Sequence, residues 1–274
     1  MENDLSMGAA WMNGKVLPIS QAMIPVNDWG LVHSDITYDV VPVIDGAFFR
    51  FGEYLARFLS SMENLHLDPG MSKRDIQAAL HQMVGKSSLR DSYVAMVCSR
   101  GKPKIAGSRD PRDCENHFFA WCVPYVHIIK PEIVKQGATA WIAQNAYRIP
   151  ENSVNPLVKN YHWGDFTQGI FEAKDKDYET VILLDYDGNV TEGPGFNVFA
   201  VKDKVLITPD RGVLAGVSRK TVLEMAEHLG INTSIRSLSV EELLEADEVF
   251  LSSSGGGVIP IIRVNETIFG NGAS

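Results

Sequence analysis

Asn155-Pro156-Leu157-Val158-Lys159-Asn160-Tyr161-His162-Trp163-Gly164-Asp165 sets one lysine among apolar neighbours, and further along Val190-Thr191-Glu192-Gly193-Pro194-Gly195-Phe196-Asn197 sets one glutamate between a strand-like run and a glycine-rich turn. A lysine beside Val158, Tyr161 and Trp163 has two readings. In the ordinary one it lies at a strand end and snorkels its ammonium to water. In the other, desolvation disfavours the charged form, and the neutral amine is a nucleophile able to form a Schiff base. Taken alone, Lys159 fits the first; the rest of the chain decides.

The 274 residues are enough for one large or two medium domains with a sizeable core. Hydrophobic content of 45% beside 22% charged residues is that of a globular protein. No apolar run is long enough to span a bilayer as a helix, so no membrane partner is expected. The acidic start, Met1-Glu2-Asn3-Asp4, lacks the basic-then-apolar pattern of a secretory signal. Cys98, Cys114 and Cys122 are odd in number and without C-x-x-C spacing, which argues against a disulfide framework or zinc site and for the cytoplasm. A net charge of −9 with scattered basic residues leaves no footprint for nucleic acid, and points to a small-molecule partner.

Asn13-Gly14 and Asp45-Gly46 predict two hairpins, 9–17 and 39–51. From Glu53 the apolar spacing changes to that of a helix carrying Leu55, Phe58, Leu59 and Met62, and Ser72 with Asp75 predicts a capped second helix to about Val84. Strands are expected at 93–99 and 117–126, separated by a polar loop, 100–116, holding Arg100, Arg109 and Arg112. The second half predicts strands at 138–143, near Lys159, 180–185, 196–201, 205–207 and 248–252. Helices are expected from Trp163 to Lys174, from Ser218 to Gly230 and after Ser239. The mixed segment 124–136 divides a domain at 1–123 from one at 137–274.

Two stretches could hold an anion. Leu214-Ala215-Gly216-Val217-Ser218-Arg219 places amides and a hydroxyl at a helix start, unless Ser218 is an ordinary N-cap. Ser252-Ser253-Ser254-Gly255-Gly256 puts hydroxyls and amides at a strand-to-glycine turn, unless it is a plain flexible loop. Arg57 on the first long helix is a third, unless it is an ordinary arginine on the rim of an amphipathic helix. Dinucleotide, Walker A, zinc-protease and G-x-S-x-G motifs are absent, and the seven histidines show no ligand spacing, so no metal is expected. One cofactor uses a desolvated lysine, a carboxylate and a phosphate cup together: pyridoxal phosphate.

The ordered motifs Val158-Lys159-Asn160, Trp163-Gly164-Asp165, Thr191-Glu192-Gly193-x-Gly195-Phe196-Asn197 and Thr208-Pro209-Asp210-Arg211-Gly212-Val213-Leu214-x-Gly216-Val217-Ser218-Arg219-Lys220 resemble the fold-type IV pyridoxal-phosphate enzymes. These are the superfamily of branched-chain and D-amino-acid aminotransferases. Within it, His33-Ser34-Asp35-x-Thr37-Tyr38-Asp39-Val40, Phe48-Phe49-Arg50 and Tyr93-Val94 are most similar to the (R)-selective amine transaminases. The likeness runs from Trp29 to Gly272. It implies an α/β fold of two domains, a smaller N-terminal α/β domain and a larger C-terminal mixed α/β pseudo-barrel, with the cofactor in the cleft between them. It further implies a homodimer whose active site lies at the subunit interface.

By the same resemblance, Lys159 is the Schiff-base lysine and the proton carrier, and Glu192 pairs with the pyridine nitrogen. Arg57, the Val217 and Ser218 amides, Ser253 and Ser254 hold the phosphate; Leu214 packs on the ring, and Phe196 and Asn197 line its edge. His33, Tyr38, Val40, Tyr93 and Trp163 shape two substrate pockets, and Arg109, preferred over Arg100 and Arg112, pairs with the carboxylate of a keto acid. The implied reaction is ping-pong transfer of an amino group from an (R)-amine donor to a keto acid acceptor such as pyruvate. The alternatives are D-amino-acid or branched-chain transamination, an aminodeoxychorismate lyase-like activity, and a non-catalytic binding protein on the same scaffold. Three departures from relatives stand out: Tyr54 where histidine is common, Ala106 where some carry arginine, and the chain's end at Ser274.

Overall fold

The computed structural model describes residues 4–270; Met1, Glu2 and Asn3 of the N-terminal reading, and Gly272 and Ser274 at the other end, lie outside the described residues. The chain forms two compact units. Unit 1 comprises Met1–Val126 and Val158–His162, and unit 2 comprises His127–Leu157 and Trp163–Ser274.

Unit 1 opens with β1 (Ala9–Met12) and β2 (Lys15–Pro18), joined through Asn13 and Gly14 at φ 50° and 78°, the left-handed pair a type I′ turn requires. Then come α1 (Trp29–Val32), β3 (Ile36–Ile44), β4 (Ala47–Phe48), α2 (Phe51–Asn64), α3 (Lys73–Ser87), β5 (Ser92–Pro103) and β6 (Cys114–Pro124). All its strand pairs are antiparallel, in the order β2-β1-β6-β5-β3-β4. The expected capping box is present: Ser72 and Asp75 bond reciprocally at the start of α3.

Two expectations change here. The second hairpin's return strand ends at Phe48, because Arg50 turns left-handed at φ 47° and launches α2. The expected 100–116 loop shrinks to 104–113, since β5 and β6 stay paired as far as Pro103 and Cys114. A register shift between Ser99 and Lys102, with Gly101 at φ +73° and no room for a Cβ against the Glu115 carbonyl, breaks the alternation and hides the strand in the sequence.

Unit 2 contains α4 (Pro131–Val134), β7 (Ala138–Tyr147), α5 (Gly164–Lys174), β8 (Thr180–Leu184), β9 (Glu192–Gly193), β10 (Phe196–Lys202), β11 (Val205–Thr208), α6 (Val217–His228), β12 (Asn232–Ile235), α7 (Val240–Leu244), β13 (Glu248–Ser253), β14 (Gly257–Val264) and β15 (Thr267–Ile268). Its sheet runs β12-β11-β10-β13-β14-β7-β8, with β9 on β10 and β15 on β14, and curls into a half-barrel. One face of β10 and β13 buries Val198, Ala200 and Leu251 with Ile259 and Ile261 from β14. On the opposite face Phe199 stacks on Phe250 at 4.9 Å beneath α6, joined by Leu206 and Ala226. Each large apolar side chain buried this way contributes about 1.5–3 kcal/mol. The edge strand β12, Asn-Thr-Ser-Ile, escapes the sequence reading because its residues are mostly exposed and carry no apolar alternation.

Lys159 belongs to no strand. The Asn155 carboxamide accepts from the Leu157 amide at 3.0 Å and the Asn160 carboxamide from the His162 amide at 2.9 Å, so an Asx turn on either side keeps the backbone irregular.

Candidate active site

The expected site residues fall into one group in each unit. In unit 1, β3 alternates between two environments. Thr37 and Asp39 bond to the Lys159 segment and to α2, while Ile36, Tyr38 and Val40 pack with Ala95, Val97, Tyr93 and Tyr161. Hydroxyls fix the lysine's backbone: Thr37 Oγ1 donates to its carbonyl at 2.6 Å and its amide donates to Ser61 Oγ at 3.2 Å. The half-buried side chain then lies with Nζ 4.4 Å from the centre of the Tyr38 ring. Tyr38 in turn stacks on Tyr161 at 4.1 Å and 8°. Burial pushes the Tyr161 and Tyr93 phenols well above their ordinary values, with Tyr38 adding to both, so these rings stay neutral.

Arg57 lies one turn before Ser61 on α2. Its Nε donates to Asp39 Oδ2 at 2.8 Å and its Nη2 to Asp39 Oδ1 at 2.6 Å. Burial opposes the guanidinium charge, but the fully buried Asp39 outweighs it and holds Arg57 above its usual range. Of the other expected substrate residues, His33 is exposed with its ring edge-on to Trp29 at 4.6 Å. Arg109 is exposed and makes no hydrogen bond or ion pair among the described residues. Arg100 instead grips Asp35 and the Leu65 and His66 carbonyls, and Arg112 pairs with Asp110.

In unit 2, Glu192 is 5% exposed. Its Oε2 accepts from the Leu214 amide at 2.8 Å and from Asn197 Nδ2 at 3.3 Å, while its Oε1 accepts from Arg148 Nε at 3.2 Å. Asn197 also donates to the Leu214 carbonyl, so the carboxamide ties the glutamate to the turn before α6. That helix is capped by Gly216, without a side-chain bond to its first amides; Ser218 is inside the helix and is not its cap. A Cβ on Gly216 would meet Asn197 Oδ1 at 2.2 Å. Trp163 packs edge-on against Phe166 at 5.4 Å. Phe196 points into the core on the face of β10 opposite to Asn197, so it is not brought to Glu192.

The amino-transferase class IV family matches residues 37–264. The chain belongs to the class IV aminotransferases. D-alanine aminotransferase of Bacillus licheniformis is 28% identical over 268 residues, covering 95% of this chain and 90% of that one. Branched-chain-amino-acid aminotransferase of Escherichia coli K12 is 26% identical over 271 residues, 96% and 86% of the two chains. The crystal structure of an E. coli branched-chain aminotransferase superposes with a TM-score of 0.91 at 25% identity, covering 97% of this chain and 89% of that one.

Class IV aminotransferases are fold-type IV enzymes that use pyridoxal phosphate, and this aminotransferase carries groups suited to it. Among the described residues the Ser252 hydroxyl is buried with no hydrogen-bond partner, on the same face as Asn197, its register partner on β10. With the helix start at Gly216 free of a side-chain cap, an amide cradle and an orphan hydroxyl lie in the unit that holds Glu192. Both are donors that a phosphate ester accepts from. Sequence reasoning chose Ser253 and Ser254 instead. The Ser253 hydroxyl donates to the Gly195 carbonyl and accepts from the Gly255 amide, so it shapes the turn. Arg148 was missed altogether. Among the described residues no group of three or more His, Cys, Asp or Glu could hold a metal, and no helix is long and apolar enough to cross a membrane, which says nothing of strand-built barrels.

Proposed function

We propose that this aminotransferase is an (R)-selective amine transaminase that moves an amino group from an (R)-amine to a keto acid such as pyruvate. The observation that carries the reading is the wall of Tyr38, Val40, Tyr93 and Tyr161, with Lys159 Nζ over Tyr38. That surface is aromatic, neutral and apolar, suited to the hydrocarbon part of an amine that has no carboxylate. Of the three arginines Arg100, Arg109 and Arg112, Arg109 is exposed and unpaired among the described residues, and it is the one offered to the keto acid's carboxylate.

Pyridoxal phosphate, when bound, supplies a carbonyl that takes up amines and a ring that accepts electrons. Lys159 Nζ would hold the cofactor and carry the proton to and from the reacting carbon. Glu192 would accept a hydrogen bond from the ring nitrogen, Leu214 would pack on the ring, and Phe196 would back the strand that presents Asn197. Arg57, the Val217 and Ser218 amides, Ser253, Ser254 and now Ser252 would bind the phosphate. His33 and Trp163 complete the substrate residues inferred from resemblance. We expect a homodimer with the active site at the subunit interface, testable by sedimentation. The exposed apolar residues Met23, Val26 and Leu31 support it, and the three free cysteines fit a cytoplasmic protein.

The relatives favour a second reading, transamination of D- or branched-chain amino acids. Specificity constants for (R)-1-phenylethylamine, D-alanine and L-leucine separate the two; amino acid donors well ahead of the amine would sink the first. Lys159→Ala should lower turnover at least ~1000-fold and abolish borohydride fixation of cofactor to the protein. Fixation that survives in the alanine variant would remove Lys159 from the mechanism.

A further inference from the structure

Arg148 follows the last residue of β7, in Tyr147-Arg148-Ile149-Pro150, and is 8% exposed. Its guanidinium divides between two acids: Nε donates to Glu192 Oε1 at 3.2 Å, and Nη1 donates to Asp165 Oδ2 at 2.6 Å. Its Cζ lies over the Phe166 ring, 4.4 Å from the centre. Asp165 is held as well, accepting from the Ile149 amide at 3.0 Å and, through Oδ1, from the Phe166 amide at 2.8 Å. A second cation near Glu192, Arg219, is anchored to Thr208 Oγ1 and the Pro209 carbonyl; burial lowers its pKa, opposed by Glu192 and Asp210. The cluster bonded through Arg148 therefore holds two acids and one base.

An arginine bonded to Glu192 alone would cancel the charge that a protonated ring nitrogen needs opposite it. Asp165 restores it. We infer that Arg148 is a positioning residue for Glu192 and that Asp165 balances it, so that the cluster turns one net negative charge, in a fixed direction, toward the cofactor's ring nitrogen. Charges then alternate along Asp165, Arg148, Glu192 and the ring. The inference rests on the pyridoxal-phosphate reading of Glu192 above and adds the two residues that set its charge and direction.

A charge-balance role has a signature that a packing role lacks. Arg148→Gln leaves two acids facing each other without their cation, and Asp165→Asn leaves Glu192 neutralised by Arg148. Each single variant should lower kcat per cofactor-loaded site ~10-fold or more, with KM for the amine within ~3-fold, and weaken cofactor binding measured by equilibrium dialysis. Arg148→Gln/Asp165→Asn returns the cluster to one net negative charge. Its kcat and its cofactor dissociation constant should both lie closer to the parent's than those of either single variant. If the double variant is as impaired as the sum of the singles in both measurements, the residues act by packing and the inference is overturned. If borohydride fails to fix cofactor to Lys159 in the parent enzyme, the underlying reading falls and takes this one with it. Fixation in the parent with additive losses overturns only the Arg148 inference.

Discussion

Arg57 in unit 1 and Arg148 in unit 2 are both largely buried and both hydrogen-bonded to carboxylates, but they are used differently. Arg57 commits Nε and Nη2 to the two oxygens of Asp39, a closed pair whose charges cancel. Arg148 splits the same fork between Glu192 and Asp165, an open chain with an acid in excess. The closed pair gives unit 1 a guanidinium of fixed direction; the open chain gives unit 2 a carboxylate of fixed direction with one acid in excess among the bonded groups. The same fork geometry thus serves orientation in one place and charge in the other.

The sharpest way to break the comparison is Asp39→Ala, which removes the acid bonded to both Nε and Nη2 of the largely buried Arg57. It should cost about 3–5 kcal/mol in urea unfolding. A loss under about 1 kcal/mol for the alanine variant would show that Arg57 turns to solvent easily and that the pair is not closed.

Next in size is Gly216→Ala. Its new methyl group would press on Asn197 Oδ1 and, through that carboxamide, on Glu192. The expected stability loss is about 1–3 kcal/mol, accompanied by weaker cofactor binding in dialysis; unchanged binding would uncouple the turn from the glutamate.

Asp28 supplies the third case, a buried carboxylate held without arginine. Burial works against its charge, but bonds from His117, Ser99 and the Gly30 amide prevail and hold its pKa below the usual 3.8. A depressed acid stabilises the fold at pH above its unfolded value and loses that contribution as the pH falls through its folded value. The stability difference between the parent and Asp28→Asn should therefore shrink as the pH falls below about 4. A gap that widens below about pH 4 would reverse the assignment.

The smallest effect is at Ser72→Ala, outside all three carboxylate sites. Loss of the α3 capping box should cost about 1 kcal/mol and leave cofactor binding unchanged.

How legible each residue was depended on how local its signal is. The hairpin turns at Asn13-Gly14 and Asp45-Gly46, the Ser72 cap and the stripe of α2 are set by neighbours in sequence and were readable there. Lys159 and Glu192 stood out because an ordered series of short motifs surrounds them. Arg148 did not, since its meaning comes from a glutamate 44 residues away and it lies in none of those motifs. Ser252 was passed over for Ser253 and Ser254 because a run of three serines does not say which faces Asn197; the pairing of β13 with β10 does. The ends of β5 and β6 were lost to the bulge at Gly101, where alternation fails.

Five residues, Val158–His162, belong to unit 1 although the chain on both sides of them belongs to unit 2. A fragment cut after Val126 would thus lack Lys159 and the hydroxyl-held backbone around it. Grafting unit 1 onto another scaffold would require breaks at three places, after residues 126, 157 and 162. During synthesis Thr37 must wait for 122 further residues before the Lys159 carbonyl exists to receive its hydroxyl. The five-residue segment that carries the amine on which the proposed chemistry depends is the last part of its own unit to leave the ribosome.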